Sequence, residues 1–102
     1  MTKFPFNDLH SFKDYLVFVK MCAPDRFPVR DGLAEQWTLE LAFRGLREGL
    51  KVATKEHGPR EEFEQAAAFV DQAKVHYDAG QRKEGFLALD RARKALSLVR
   101  SR

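Results

Sequence analysis

Three histidines, a lone cysteine and a run of cations are the side chains in this sequence that could do chemistry. His10, His57 and His76 stand far apart, in none of the H-x-x-x-H, H-E-x-x-H or Cys/His spacings that turn metal ligands toward one point. Gln72 precedes His76 by one turn, but Asp71 and Asp78 fall elsewhere around a helix, so three ligands do not converge. His76 reads as a hydrogen-bonded packing residue beside a helix seam. His57, next to Glu56 at a helix end, reads as a solvated partner of the helix dipole. Cys22 also falls at a helix end, where the dipole disfavours a thiolate, and no base lies near it. It reads as a small buried hydrophobe. No Gly-rich phosphate loop, Walker-type lysine or nucleophile elbow is present. These residues call for no catalytic group, metal or cofactor, and the expectation is a protein that is not an enzyme.

The cations have a clearer pattern. Arg82, Lys83, Arg91, Arg93, Lys94, Arg100 and Arg102 face only Glu84 and Asp90 within the last segment. The segment before it reverses the balance, with Glu61, Glu62, Glu64, Asp71 and Asp78 against Arg60 and Lys74. A basic helix can neutralise phosphates, which makes a nucleic-acid-binding accessory role the alternative reading. However, the charges encircle the helix instead of forming one stripe, and no aromatics alternate with them. The favoured reading is two oppositely charged helices oriented about a shared seam.

That seam is what positions everything else. From Glu61 to Val99 the sequence describes two helices folded back through Gly80. Phe63, Ala66, Val70, Ala73 and Tyr77 form one side, and Gly85, Leu89, Ala92, Leu96 and Val99 the other. Ala66, Ala73, Gly85 and Ala92 are small enough to let the two backbones approach closely. Pro59 suits the first turn of the first helix, and its early acids suit the positive end of the dipole. Upstream, Thr38 caps a helix whose seam is Leu39, Phe43, Leu46, Leu50 and Ala53, ending at Gly58. Gly45 and Gly49 lie one turn apart in that helix, on a groove that a neighbouring helix or a large ring such as Trp37 or Phe18 would fill. Asn7 or Asp8 caps a first helix with Leu9, Phe12, Leu16 and Val19 as its seam, apolar on most sides and so expected to be the most buried. The run Tyr15–Val19 is rich in β-formers, but no second strand exists to pair with it. Residues 22–36, with Pro24, Pro28 and Gly32, form a long loop pinned by Phe27 and Val29.

Residues 63–96 resemble a single tetratricopeptide-type helical hairpin. Phe69 and Ala73 stand at a large-then-small step, Gly80 at the turn, Glu84 and Gly85 at an acidic-then-small step, and Leu89 and Ala92 at the large-small pair of the second helix. His76 replaces the usual aromatic, no Pro closes the unit after Leu96, and residues 38–58 hold no second copy, although such repeats need about three units for stability. The resemblance implies a close-packed hairpin and, through it, a peptide-binding role.

Length and composition set the remaining bounds. The chain has 102 residues, 44% hydrophobic and 32% charged, with nine Phe and a net charge of +3. It is expected to be one domain, residues 1–102, of the all-α class: a compact four-helix fold with helices at about 8–21, 38–57, 60–79 and 81–99. A single cysteine, no long apolar run and no leader-like N-terminus point to a soluble cytoplasmic protein without a membrane partner. Leu87 and Leu98 lie in line with Arg91 and Lys94, opposite the Gly85–Val99 seam. One hairpin partner cannot cover both faces of a helix. Helix 1 or the Phe4–Phe6 lead is the first candidate to cover that face, and a second copy of the chain the next. The expected function is therefore a protein–protein interaction module, with homodimerisation as one form, and an interaction surface drawn from Leu87, Arg91, Lys94, Leu98 and Phe27.

Overall fold

A computed structural model of the chain describes residues 6–23 and 38–99. They form four helices, α1 (Leu9–Cys22), α2 (Leu39–His57), α3 (Glu61–Asp78) and α4 (Arg82–Ser97), with no strand among the described residues. Each boundary lies within one or two residues of the one expected, because the stop signals are local. The Asp8 carboxylate accepts the Ser11 N–H at 2.8 Å while the Ser11 hydroxyl accepts the Asp8 N–H at 3.3 Å, a capping box that starts α1. The Thr38 hydroxyl accepts the Leu41 N–H at 3.1 Å and starts α2. Gly58 and Gly80 take left-handed φ values of 83° and 78° and end α2 and α3. After α3, the Gln81 N–H reaches back to the His76 carbonyl at 2.7 Å and the Gly80 N–H to Tyr77, closing a Schellman turn. Pro59 sits outside α3, not in its first turn. Arg60 is extended at φ −141° and the helix begins after it.

The helices pack as a ring, α1 on α2, α2 on α3, α3 on α4 and α4 on α1, while diagonal helices keep their backbones apart. The α3–α4 hairpin is the most extensive of these pairings. Each neighbouring pair runs antiparallel. Leu9 donates its N–H to Glu56 at 2.9 Å and the Tyr15 hydroxyl donates to the Ala42 carbonyl at 2.9 Å, which fixes α1 against α2. Lys74 bridges Glu40 at 2.6 Å and fixes α3 against α2. Lys13 donates to the Val99 carbonyl at 2.9 Å and Lys20 to Asp90 at 3.2 Å, which fixes α1 against α4. All ten hairpin seam residues are buried, joined by Ala88 and Ala95. In α2, Phe43, Leu46, Leu50 and Ala53 are buried as expected, while Leu39 is only partly so.

Three expectations are corrected here. At Gly49 the glycine groove of α2 does not hold Phe18, and Trp37 lies outside the described residues. Phe12 fills it: a Cβ on Gly49 would stand 2.0 Å from Cδ1 of that ring. The antiparallel register brings Phe12 to Gly49, between the Leu9–Glu56 and Tyr15–Ala42 ties. Nor is α1 the most buried helix, since it holds five buried residues to the eight of α2. It has two helical neighbours, so the stripe through His10, Asp14, Val17 and Met21 faces water, with Met21 65% exposed. The expected loop begins later as well, since Cys22 belongs to α1 and is half-buried, and residues 24–36 lie outside the described residues.

Two predictions test this packing. Alanine at Gly49 meets a fully buried ring, and the overlap costs about 1–3 kcal/mol, at the upper end for so short a separation. The helix propensity regained is only about 1 kcal/mol, so urea unfolding should show a net loss. An unchanged midpoint would place the Phe12 ring elsewhere. The second test is alkaline. Burial pushes the Tyr15 phenol well above its ordinary value and Tyr77 up to about 12, with Arg82 pulling Tyr77 the other way. Unfolded tyrosines ionise near 10, so the folded state keeps protons that the unfolded state loses. Stability should be intact below pH 10 and fall as pH rises through the folded values. Tyr15→Phe should flatten that fall and cost about 1 kcal/mol at neutral pH through the lost Ala42 hydrogen bond. Tyr77→Phe should flatten it at no neutral-pH cost, because the buried Tyr77 hydroxyl has no partner to lose among the described residues.

Candidate interaction surface

The last helix has three working faces, and its sequence assigns a different task to each. The seam face carries Gly85, Ala88, Leu89, Ala92, Ala95 and Leu96, all buried against the rest of the bundle. Glycine at position 85 is required by contact: an added Cβ would lie 2.7 Å from the Tyr77 ring. Small residues one turn apart thus let a tyrosine of α3 lie flat on the α4 backbone, and this seats the two helices.

The flank toward α1 carries Phe86 and Asp90. Asp90 accepts from Lys20 at 3.2 Å, from Arg93 Nε at 3.1 Å, and bridges Lys94 at 3.4 Å. Partial burial raises the Asp90 carboxyl, but the hydrogen bonds from Lys20, Arg93 and Lys94 outweigh it and hold the group below the usual carboxylate value. Lys20 also lies over the Phe86 ring, 5.2 Å from its centroid. Beside this cluster, Lys20, Met21, Ala23, Arg82, Lys83 and Phe86 surround an open groove of about 490 Å³ between the end of α1 and the start of α4. Nothing local announced Asp90 as a hub, because Lys20 is far from it in sequence. Only its i+3 and i+4 cations were legible.

The outer face carries Leu87, Arg91, Lys94 and Leu98, at i, i+4, i+7 and i+11 on one stripe. Leu87 is 41% exposed and Leu98 73%. Neither α1 nor Phe6 covers them. The first helix docks on the Phe86–Asp90 flank, and Phe6 packs on Phe12 and Tyr15 with ring centroids 5.3 and 5.0 Å away. Phe4 and Phe27 lie outside the described residues. Four of the five residues named from sequence therefore share one exposed stripe. Sequence reasoning missed Val75 on the neighbouring helix, 65% exposed. The signal was its absence from the Phe63–Tyr77 seam.

The histidines remain apart. His10 is exposed, and His76 Nδ1 lies 2.7 Å from Gln81 Oε1 across the Schellman turn. His57 departs from its expected solvated state: its side chain is 18% exposed, its ring lies 6.4 Å from that of Phe63, and Nε2 stands 3.3 Å from Glu56 Oε1. Among the described residues no three His, Cys, Asp or Glu side chains are grouped to hold a metal ion, and no helix is long and apolar enough to cross a membrane. Neither protein-family models, nor curated proteins, nor solved structures provide a match to this chain.

The Asp90 cluster generates a prediction about acid. A carboxyl held below its ordinary value contributes stability above about pH 3.9, the unfolded value. That contribution is lost as pH falls through the folded value. Asp90→Asn should lower stability at pH 7 and lower it less at pH 3, read from paired urea titrations. Equal losses at both pH values would show that the charge does not hold α1 to α4.

Proposed function

We propose that this chain is a protein–protein interaction module of the cytoplasm, docking its partner on the outer face of the α3–α4 hairpin. The observation that supports this reading is the exposure of Leu87 and Leu98 on a helix whose seam and α1 flank are both already occupied. Apolar side chains scattered singly over a surface need no explanation. Two leucines on one stripe, spaced by a pair of cations, form a surface with an apolar anchor at each end and charge between them. A lone, half-buried cysteine with no partner thiol suits a reducing compartment.

A polyanion is a poorer fit to the same helix. Arg93 and Lys94 engage Asp90, and Lys20 does so from α1. The cations are thus partly committed to holding the bundle together, whereas Leu87 and Leu98 contribute nothing to phosphate binding.

Leu87→Glu with Leu98→Glu tests the reading. The double variant should keep its helical signal and unfolding midpoint, because neither side chain belongs to the core. Chemical cross-linking in native extract should yield adducts with the wild type that the variant loses. Adducts equal in both, or loss of the fold, would reject the outer face as the docking surface. The wild type should be only weakly retained on a polyanion column, and tight, salt-sensitive binding to RNA or DNA would replace the proposal with the nucleic-acid reading.

A further inference from the structure

The outer stripe of α4 has a complement on the same molecule. Along α3, Glu64, Ala68, Asp71 and Val75 recur at i, i+4, i+7 and i+11, the same spacing as Leu87, Arg91, Lys94 and Leu98, and all four are exposed. One stripe is acidic with an apolar end, and the other is basic with apolar ends. The Tyr77 ring on Gly85 fixes the level of one helix against the other. Because the helices are antiparallel with equal rise, each step up α4 matches one step down α3. Leu87 then stands level with Val75, Arg91 with Asp71, Lys94 with Ala68, and Leu98 with Glu64.

We infer that the partner is a second copy of this chain, paired hairpin to hairpin about a two-fold axis parallel to the helices, so that α4 of each copy lies on α3 of the other. This inference rests on reading the hairpin's outer face as a docking surface. A two-fold operation about that axis exchanges the helices and preserves level. Leu87 meets Val75 of the second copy, Arg91 meets Asp71, and Lys94 falls over the small Ala68 between Glu64 and Asp71. Every contact occurs twice. A parallel two-fold that placed α4 on α4 instead would set Arg91 and Lys94 against their own copies, and like charges across an interface oppose association.

Existing ion pairs do not stand in the way. Asp71 reaches Arg47 at 3.9 Å with both side chains more than half exposed, and Lys94 is itself 68% exposed in its Asp90 bridge. Surface pairs this long and wet contribute little, and either residue can be shared with a partner. Leu87 on Val75 is the one matched apolar pair, with Leu98 level with Glu64, so charge has a large part in the pairing and association should weaken as salt rises.

Charge exchange tests the register. Arg91→Glu alone sets two acids together, and Asp71→Lys alone sets two cations together. Each variant by itself should associate at least tenfold more weakly than the wild type in sedimentation velocity, with its helical signal unchanged. Mixed in equal amounts, the two should form a heterodimer, because both crossed pairs are then opposite in sign. Recovery of the dimer on mixing is the expected result. A wild-type dimer indifferent to both substitutions, or single variants that weaken without recovery on mixing, would overturn this pairing and leave the docking face standing. A wild type that stays monomeric at every accessible concentration would remove the second copy altogether, and the cross-linking of Leu87→Glu/Leu98→Glu then decides separately whether another protein uses the face.

Discussion

Aromatic rings laid on glycine set the spacing of this bundle. Phe12 of α1 lies on Gly49 of α2, and Tyr77 of α3 lies on Gly85 of α4, each close enough that a single added carbon would overlap the ring. The two contacts seat opposite pairs of the four-helix ring. Tyr77 also meets Phe43 edge-on at 6.0 Å, so the α3–α4 seat is joined to α2 through the same side chain. A glycine inside a helix costs about 1 kcal/mol against alanine. Here the cost is offset by the burial of a whole ring face, since the backbone itself serves as the floor of the contact. Remove either seat and the helices must separate to admit the ring.

With the axes set so closely, the helix ends come within reach of their neighbours, and the polar chemistry follows. Glu56 near the end of α2 accepts the first N–H of α1, and Lys13 of α1 donates to the Val99 carbonyl beyond the end of α4. Both satisfy groups that a helix cannot pair internally. Lys74 joins Glu40 in the first turn of α2 to Asp78 in the last turn of α3. Lys20 joins α1 to Asp90. Lysines 13, 20 and 74 thus tie termini or flanks of different helices, and no charged side chain is fully buried among the described residues. The core needs no buried ion pair, which would carry a large desolvation penalty.

The fold was legible where its causes are local. Apolar spacing gave all ten hairpin seam residues, and Asp8, Thr38, Gly58 and Gly80 marked their helix ends. What was hidden depended on partners distant in sequence. The groove at Gly49 was visible, but Phe12 as its occupant was not, since Phe18 and Trp37 are equally large and nothing local sets the α1–α2 register. Asp90 showed two neighbouring cations but not Lys20. His57 looked solvated because nothing local shows that its ring lies beside Phe63 of α3. The outer stripe of α4 was legible for the opposite reason. A residue left over from every seam remains left over in the folded chain, and spacing alone identifies it.

The distribution of cations along α4 connects stability with function. Arg93 and Lys94 turn toward Asp90, which also holds Lys20, so this part of the positive charge keeps α1 on the bundle. Arg91 falls between Leu87 and Leu98 on the side facing away from both neighbours. A sequence that needed only a closed four-helix ring could place any soluble residues on that stripe. Leucines at both ends of it add apolar surface to water and nothing to the core. On the adjacent helix, Val75 is likewise exposed, at the end of the stripe through Glu64 and Asp71. Apolar groups set among opposite charges on two helices of fixed register make a surface with both attraction and alignment built in. That combination is what a docking face requires and what a merely solvated face lacks.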